Sequence, residues 1–499
     1  MLARRVSLTT LGCKLNHAET SSLERDFVQR GWTVVPFGEA SDLIVVNTCS
    51  VTENADTECR KIVRRGLRSS PSAQVAVTGC YAQLKPDVVS TIPGVTSVFG
   101  SAEKHTIPNY YSDDPSGTPL ILMRGAGGEF ATPMHPSHSN ERVAQRRGEF
   151  SVEISSEVSA PFVPARTSDT SSRTRAFVKL QDGCDYGCTF CTIPLARGAA
   201  RAMSFDDVRR ELLSVQERGY AEAVLTGINL GEYEHDGRRF VDVLRLIAEM
   251  HASGEITFRV RISSIEPNTI TPEVIDVLAS SRVFCPHLHI PLQSGSVDVL
   301  KIMRRRYNPT MYRNTIEQLV ARMSARCIGG SGNGDTDIRD CGIGIDTIVG
   351  FPGETDAHFE ESVAFLESLP FSYLHVFTYS ERSNTPAVEY AGRVPMRIRR
   401  ERNARLRALS HEREQAFARR MVGTRRVVIP EGYDVATGLN NALTDNYIRV
   451  HIASASPMPK TTTNVIITNI TNERVMAVQA RSTNTIDKHC REATSTNNT

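Results

Sequence analysis

The sequence predicts an α/β protein in three parts. These are an N-terminal open parallel α/β sheet over residues 1–108, a central partial (β/α)6 barrel over 173–422 and a small all-β barrel over 423–482. Three observations carry this. Short apolar runs alternate with amphipathic helical runs in two separate stretches, a Ser, Pro and Gly rich stretch divides those two, and after one arginine-rich helical pattern only strand-like runs remain.

In the first part "RRVSLTTLG", "SDLIVVNTCS" and "AQVAVTGCY" are short apolar strands, and "AETSSLERDFVQRG" and "ADTECRKIVRRGLRS" are the helices between them. A cysteine follows each strand: Cys13, Cys49 and Cys80. The carboxyl ends of parallel strands share one edge, so three thiols distant in sequence are expected to meet there. Residues 109–172, with "SDDPSGTP" and "TPMHPSHSN", read mostly as linker or mobile insertion.

The second part offers six strands, "AFVKLQ", "EAVLTGIN", "TFRVRISS", "HLHIPLQS", "IGIDTIVG" and "YLHVFTY", separated by helical patterns such as "SFDDVRRELLSVQERG". Six units fit a partial barrel better than a closed eight-stranded one, with functional residues at the strand carboxyl ends. Residues 393–426 form a long helical pattern with twelve arginines against three glutamates, either a solvated face or an RNA-binding one. "RRVVIP", "NYIRVHIA", "NVIITNI" and "RVMAVQA" then make the small barrel, and 483–499 a tail.

Apolar content of 40% and charged content of 23% are ordinary for a globular chain of 499 residues. No run reaches the roughly 18 apolar residues of a membrane span, and no apolar segment follows the two arginines of "MLARRVSLTTLGCKLN". A cytoplasmic protein without membrane partners is therefore expected. Eleven cysteines, odd in number and thinly spread, suit thiolate ligation better than disulphides. Cys59, Cys285, Cys327, Cys341 and Cys490 fit no ligand spacing and receive no role.

The stretch "GCDYGCTFCTIP" places Cys184, Cys188 and Cys191 just after the first barrel strand. A purely structural zinc or iron–sulphur site usually has four protein ligands. Three thiolates on a cubane leave one iron free for a substrate or cofactor; the alternatives are a zinc knuckle with a distant fourth ligand, or unrelated buried thiols.

This C-x3-C-x2-C spacing, with Phe190 before its third cysteine, resembles the signature of the radical S-adenosylmethionine superfamily. Together "LGCKLNHAET", "VVNTCSVT", "VTGCYAQ", "GCDYGCTFCTIPLARG", "LTGINLG", "ISSIEP", "HIPLQSGS", "VGFPGET" and "LTDNYIRV" resemble the methylthiotransferase family over nearly the whole chain. The resemblance implies two [4Fe-4S] clusters. One, on the catalytic Cys184, Cys188 and Cys191, binds S-adenosylmethionine; the other, on Cys13, Cys49 and Cys80, is an auxiliary cluster for the transferred sulphur. It implies a TRAM-like C-terminal barrel that binds RNA, a tRNA anticodon loop as substrate, and an electron donor such as a flavodoxin or ferredoxin. "GCKLN" and "CTIPLARG" are similar to the branch that modifies N6-threonylcarbamoyladenosine beside the anticodon. Isopentenyladenosine in tRNA and a ribosomal protein are the substrates of the other branches, and a non-catalytic RNA-binding protein with structural metal is the rival of another class.

Phe190, Thr226, Gly227, Ser264, Glu266 and Gln293 are the expected cofactor contacts, each alternatively a strand-end turn or packing residue. "GFPGET" at 350–355 also reads as a Pro-Gly turn. "GGSGNG" at 329–334 lacks the dinucleotide spacing and reads as an inserted loop within 328–341. "RGAARAM" at 197–203 departs from the family pattern, as does the length of 109–172.

Overall fold

The computed structural model describes residues 4–49, 55–112, 151–154, 162–163, 174–324 and 340–480. Six parallel strands build the N-terminal sheet: β1 (Arg5–Thr10), β2 (Thr33–Val35), β3 (Leu43–Thr48), β4 (Gln74–Gly79), β5 (Ser97–Phe99) and β6 (Ser151–Glu153), in the order β2-β1-β3-β4-β5-β6. Every residue of β3 is buried, as expected of a central strand with both faces covered. Its alternate residues feed two cores, Ile44 and Val46 on one face, Leu43 and Val45 on the other.

The sequence pattern showed three of these strands. β2 and β5, of three residues each, are too short to display a period. β6 lies inside the stretch expected to be linker, so that stretch returns to complete the sheet beside β5; most of its other residues lie outside those described.

The six expected barrel strands are Arg175–Lys179, Glu222–Thr226, Arg259–Ile262, His287–His289, Gly342–Val349 and Tyr373–Thr378. They form two parallel three-stranded sheets. Parallel bridges Val260 to Phe284 and Ser264 to His289 join these sheets at the third and fourth strands. The result is an open, partial barrel. Ser204 and Thr271 cap two of its helices, their side chains accepting from the Asp207 and Val274 N–H groups.

The C-terminal unit is a closed five-stranded barrel of Arg425–Asp434, Leu439–Thr444, Arg449–Ala453, Thr463–Thr471 and Arg474–Gln479. A buried ion cluster ties it to the central barrel. Glu222 accepts from Arg259 at 2.7 Å and from two nitrogens of Arg261 at 2.9 Å. Arg259 also donates to the carbonyls of Val427 and Leu443, and Arg261 to those of Thr444 and Asp445.

Removing one partner of a buried ion pair costs about 3 to 5 kcal/mol. Glu222→Gln should therefore lower thermal stability by an amount in that range, read by calorimetry. Burial alone would raise the Glu222 carboxyl, but Arg261 and Arg259 overrule it and hold it well below the usual carboxylate range. The contribution is complete above the ordinary value of about 4.3 and is lost as pH falls through the folded-state value. The stability gap between wild type and variant should be flat from about pH 6 to 8 and shrink on acidification.

The arginine-rich pattern is the helix Met396–Arg420. Several of its arginines pair within the barrel. Arg399 donates to the Tyr379 and Val394 carbonyls and pairs with Glu381, Arg402 pairs with Glu354 and Asp356, and Arg405 pairs with Glu360. No described helix is long and apolar enough to cross a membrane. The 329–334 loop and the 483–499 tail, with Cys327 and Cys490, lie outside the described residues.

Candidate active site

β1, β3 and β4 are neighbours in register, Thr10 beside Asn47 and Thr48 beside Gly79, so their carboxyl ends bring Cys13, Cys49 and Cys80 to one edge. Glycine turns the chain there. Gly12 (φ 106°) and Gly79 (φ 102°) hold conformations that side chains rarely adopt, and a Cβ would strike Cys49 at Gly12 and Thr48 at Gly79. Cys13 caps the helix Lys14–Gln29 and Cys80 begins the helix Cys80–Leu84. Burial pushes the Cys13 thiol up, against the pull of Arg197, and Cys80 pushes in the same direction as burial.

The second trio lies in the loop after Arg175–Lys179. The Tyr186 and Ile193 N–H groups donate to the sulphurs of Cys184 and Cys191, both at 3.4 Å, and Arg305 donates to Cys188 at 2.9 Å. Burial raises all three thiols, Cys184 to about 11 and Cys191 to about 12, and repulsion by neighbouring cysteines adds to it at Cys184 and Cys191. Metal must therefore displace protons that these thiols hold firmly near neutral pH. The sulphur donor set, with hydrogen bonds already directed at each sulphur, fits a thiolate-bound cluster.

Among the described residues the ligand atoms of His289, Asp346 and His375 lie within 4.8 Å of one another, a further group of metal-ligand type.

One buried arginine joins the two trios. Arg197 donates to the Cys80 sulphur at 3.3 Å, to Glu19 and Asp182 at 2.9 Å and to Asn16 at 2.6 Å. The next residue, Gly198, accepts from the Cys184 N–H at 3.1 Å. Burial would raise the Glu19 carboxyl, but Arg197, Lys104 and Lys179 hold it well below the usual range.

Comparison with known proteins gives the family. Residues 5–100 match the uncharacterized protein family UPF0004, and residues 178–366 match the radical SAM superfamily. The chain is 35% identical over 448 residues to the threonylcarbamoyladenosine tRNA methylthiotransferase MtaB of Bacillus subtilis, covering 89% of each chain. It is 31% identical to the MtaB of Thermotoga maritima, over 89% of this chain and 91% of that one. The chain belongs to the radical SAM methylthiotransferase family. It is also 32% identical to the tRNA-2-methylthio-N(6)-dimethylallyladenosine synthase of a Parafrankia species, over 92% of this chain and 85% of that one. Among solved structures the radical S-adenosylmethionine methyltransferase TsrM of Kitasatospora setae shares the fold, with TM-score 0.52 and 16% identity over 77% of this chain and 75% of that one.

The family's chemistry calls for S-adenosylmethionine and a [4Fe-4S] cluster, and the remaining expected contacts are placed unevenly around Cys184, Cys188 and Cys191. Glu266 pairs with Arg305, which in turn holds Cys188. Phe190 packs against Phe351, ring centroids 6.3 Å apart. Gln293 holds a left-handed φ of 67°, a strained state that clusters at functional sites. Ser264 bridges to His289. Thr226 is buried and donates to the Val178 carbonyl at 3.1 Å, so its hydroxyl is engaged within the sheet. At Gly227 a Cβ would crowd Leu230 and Gln181.

Sequence reasoning missed Arg197, Arg305, Gln181 and Lys14. Arg197 stands inside "CTIPLARG" and Arg305 inside "MRRRYNP", but no period or spacing marks either as a partner of sulphur. Gln181 accepts from the Ile228 and Asn229 N–H groups at 2.9 and 2.8 Å and so shapes the loop after the second strand. Lys14 follows Cys13 directly, and burial together with Arg261 and Arg175 holds its ammonium down to about 8.

Proposed function

We propose that this protein adds a methylthio group to C2 of N6-threonylcarbamoyladenosine at position 37, next to the tRNA anticodon. The observation that carries the reading is the pair of three-thiol sites joined through Arg197 and Gly198, within a chain 35% identical to a protein named for that reaction. Cys184, Cys188 and Cys191 would hold the cluster that binds S-adenosylmethionine, and Cys13, Cys49 and Cys80 a second cluster. When bound, these groups would supply the 5′-deoxyadenosyl radical that takes the C2 hydrogen, the sulphur and, from a second S-adenosylmethionine, the methyl group.

The chain's own residues hold and shield these sites. Arg305 and the Tyr186 and Ile193 N–H groups stabilise charge on three sulphurs. Arg197 pairs with Glu19 of the N-terminal unit and Asp182 of the partial barrel, which ties the two sites' supports together. The C-terminal barrel would grip the anticodon arm, where a single-stranded loop can present an unstacked base. A reduced flavodoxin or ferredoxin would supply electrons, and the reaction would take place in the cytoplasm. The alternatives, a dimethylallyl (isopentenyl) adenosine or a ribosomal protein, are tested together. Mass spectrometry of tRNA nucleosides from a deletion strain should show loss of 2-methylthio-N6-threonylcarbamoyladenosine alone, and an unchanged level would refute the proposal.

A further inference from the structure

Lys14 is the residue after Cys13 and begins its helix. It is half-buried, and its ammonium lies 5.9 Å from the centroid of the Tyr447 ring. The Arg261 guanidinium lies 5.3 Å from the same ring. Glu222 is shared by Arg259, Arg261 and Arg175, and Arg175 also pairs with Glu431. Lys14 has no hydrogen bond or ion pair to any described residue. A cation without a direct partner thus stands next to Cys13.

The surroundings form a wall. Tyr447, from the C-terminal barrel, stacks on His287 at 4.2 Å, and His287 shares a 2.9 Å hydrogen bond with the hydroxyl of Tyr373. Tyr447 is held at φ 76°, a genuine outlier for a bulky residue, of the kind found at ligand clamps. All three structural units therefore meet at one place: Lys14, the pair His287 and Tyr373, and Tyr447.

We infer that this junction is a carboxylate-binding subsite, in which Lys14 takes the threonyl carboxylate of the modified adenosine and the aromatic wall sets its direction. The inference rests on the function proposed above. Two nucleosides occur in the names of the relatives, one with an acidic N6 substituent and one with an uncharged dimethylallyl group, and an unpaired ammonium separates them. A site built around a charged partner rejects the analogue that lacks it. Consecutive Cα atoms lie about 3.8 Å apart, so Lys14 would bind the substituent in direct register with the residue that serves the reacting end of the purine.

The test uses reconstituted full-length protein and an anticodon stem-loop RNA carrying N6-threonylcarbamoyladenosine, either free or as its methyl ester. Wild type should bind and turn over the free acid with a KM about tenfold or more below that of the ester, the scale of one charge-assisted hydrogen bond. Lys14→Met should raise KM for the acid to that of the ester, at unchanged iron content, and Lys14→Arg should restore most of the preference. Equal KM values for acid and ester with wild type would overturn the inference, and this arm requires no variant to fold. If wild type thiomethylates neither RNA, the proposed function falls with it; if it thiomethylates both equally well, only the subsite does.

Discussion

Cys184→Ala should reduce formation of 5′-deoxyadenosine from S-adenosylmethionine to the level seen without protein. The loop that carries the trio is fixed by the Cys184 N–H on Gly198 and the Cys191 N–H on Cys188. A Cβ alone cannot bind metal, and two thiols do not hold a cubane. Cys188→Ala and Cys191→Ala should match it. Arg305→Met should be milder, because the arginine orients Cys188 and Glu266 without replacing a ligand. Liquid chromatography of the adenosyl product under reducing, anaerobic conditions gives the result directly. Product formation by Cys184→Ala at the wild-type rate would remove the cluster assignment.

Arg197→Met should destabilise the junction between the N-terminal sheet and the partial barrel by about 3 to 5 kcal/mol. The side chain is 1% exposed and meets Glu19, Asp182, Asn16 and Cys80. Its loss leaves Glu19 to Lys104 and Lys179, and Asp182 to Lys179 and Arg201, so two buried carboxylates keep incomplete partners. Arg197→Lys should recover only part of the loss, because one ammonium cannot reproduce a planar fork that reaches four groups. Two calorimetric transitions in place of one, or a lower midpoint for the N-terminal unit, is the expected signature. A variant as stable as wild type would mean that the junction is held elsewhere.

The features legible in the sequence are local. Apolar runs of five or six residues gave the strands that carry Cys13, Cys49 and Cys80, and the C-x3-C-x2-C stretch gave the second trio, because each is a short pattern. Arg197 with Glu19, 178 residues apart, and Arg261 with the Thr444 carbonyl, 183 apart, leave no such pattern; only folding brings them together. β6 was hidden for another reason, since three residues within a polar stretch form a strand only through pairing with β5. The arginine-rich helix was legible only in part. Its charge run left a solvated face and an RNA-binding one open, and Arg399 and Arg402 are buried struts, which sequence cannot separate from solvated side chains.

The proposed function requires each thiol trio to hold its own iron–sulphur cluster. Iron and sulphide analysis after anaerobic reconstitution tests this most directly: wild type should carry about eight irons, and the triple alanine variants of Cys13, Cys49 and Cys80 or of Cys184, Cys188 and Cys191 about four each. About four irons in wild type, or about eight retained in either variant, would contradict it.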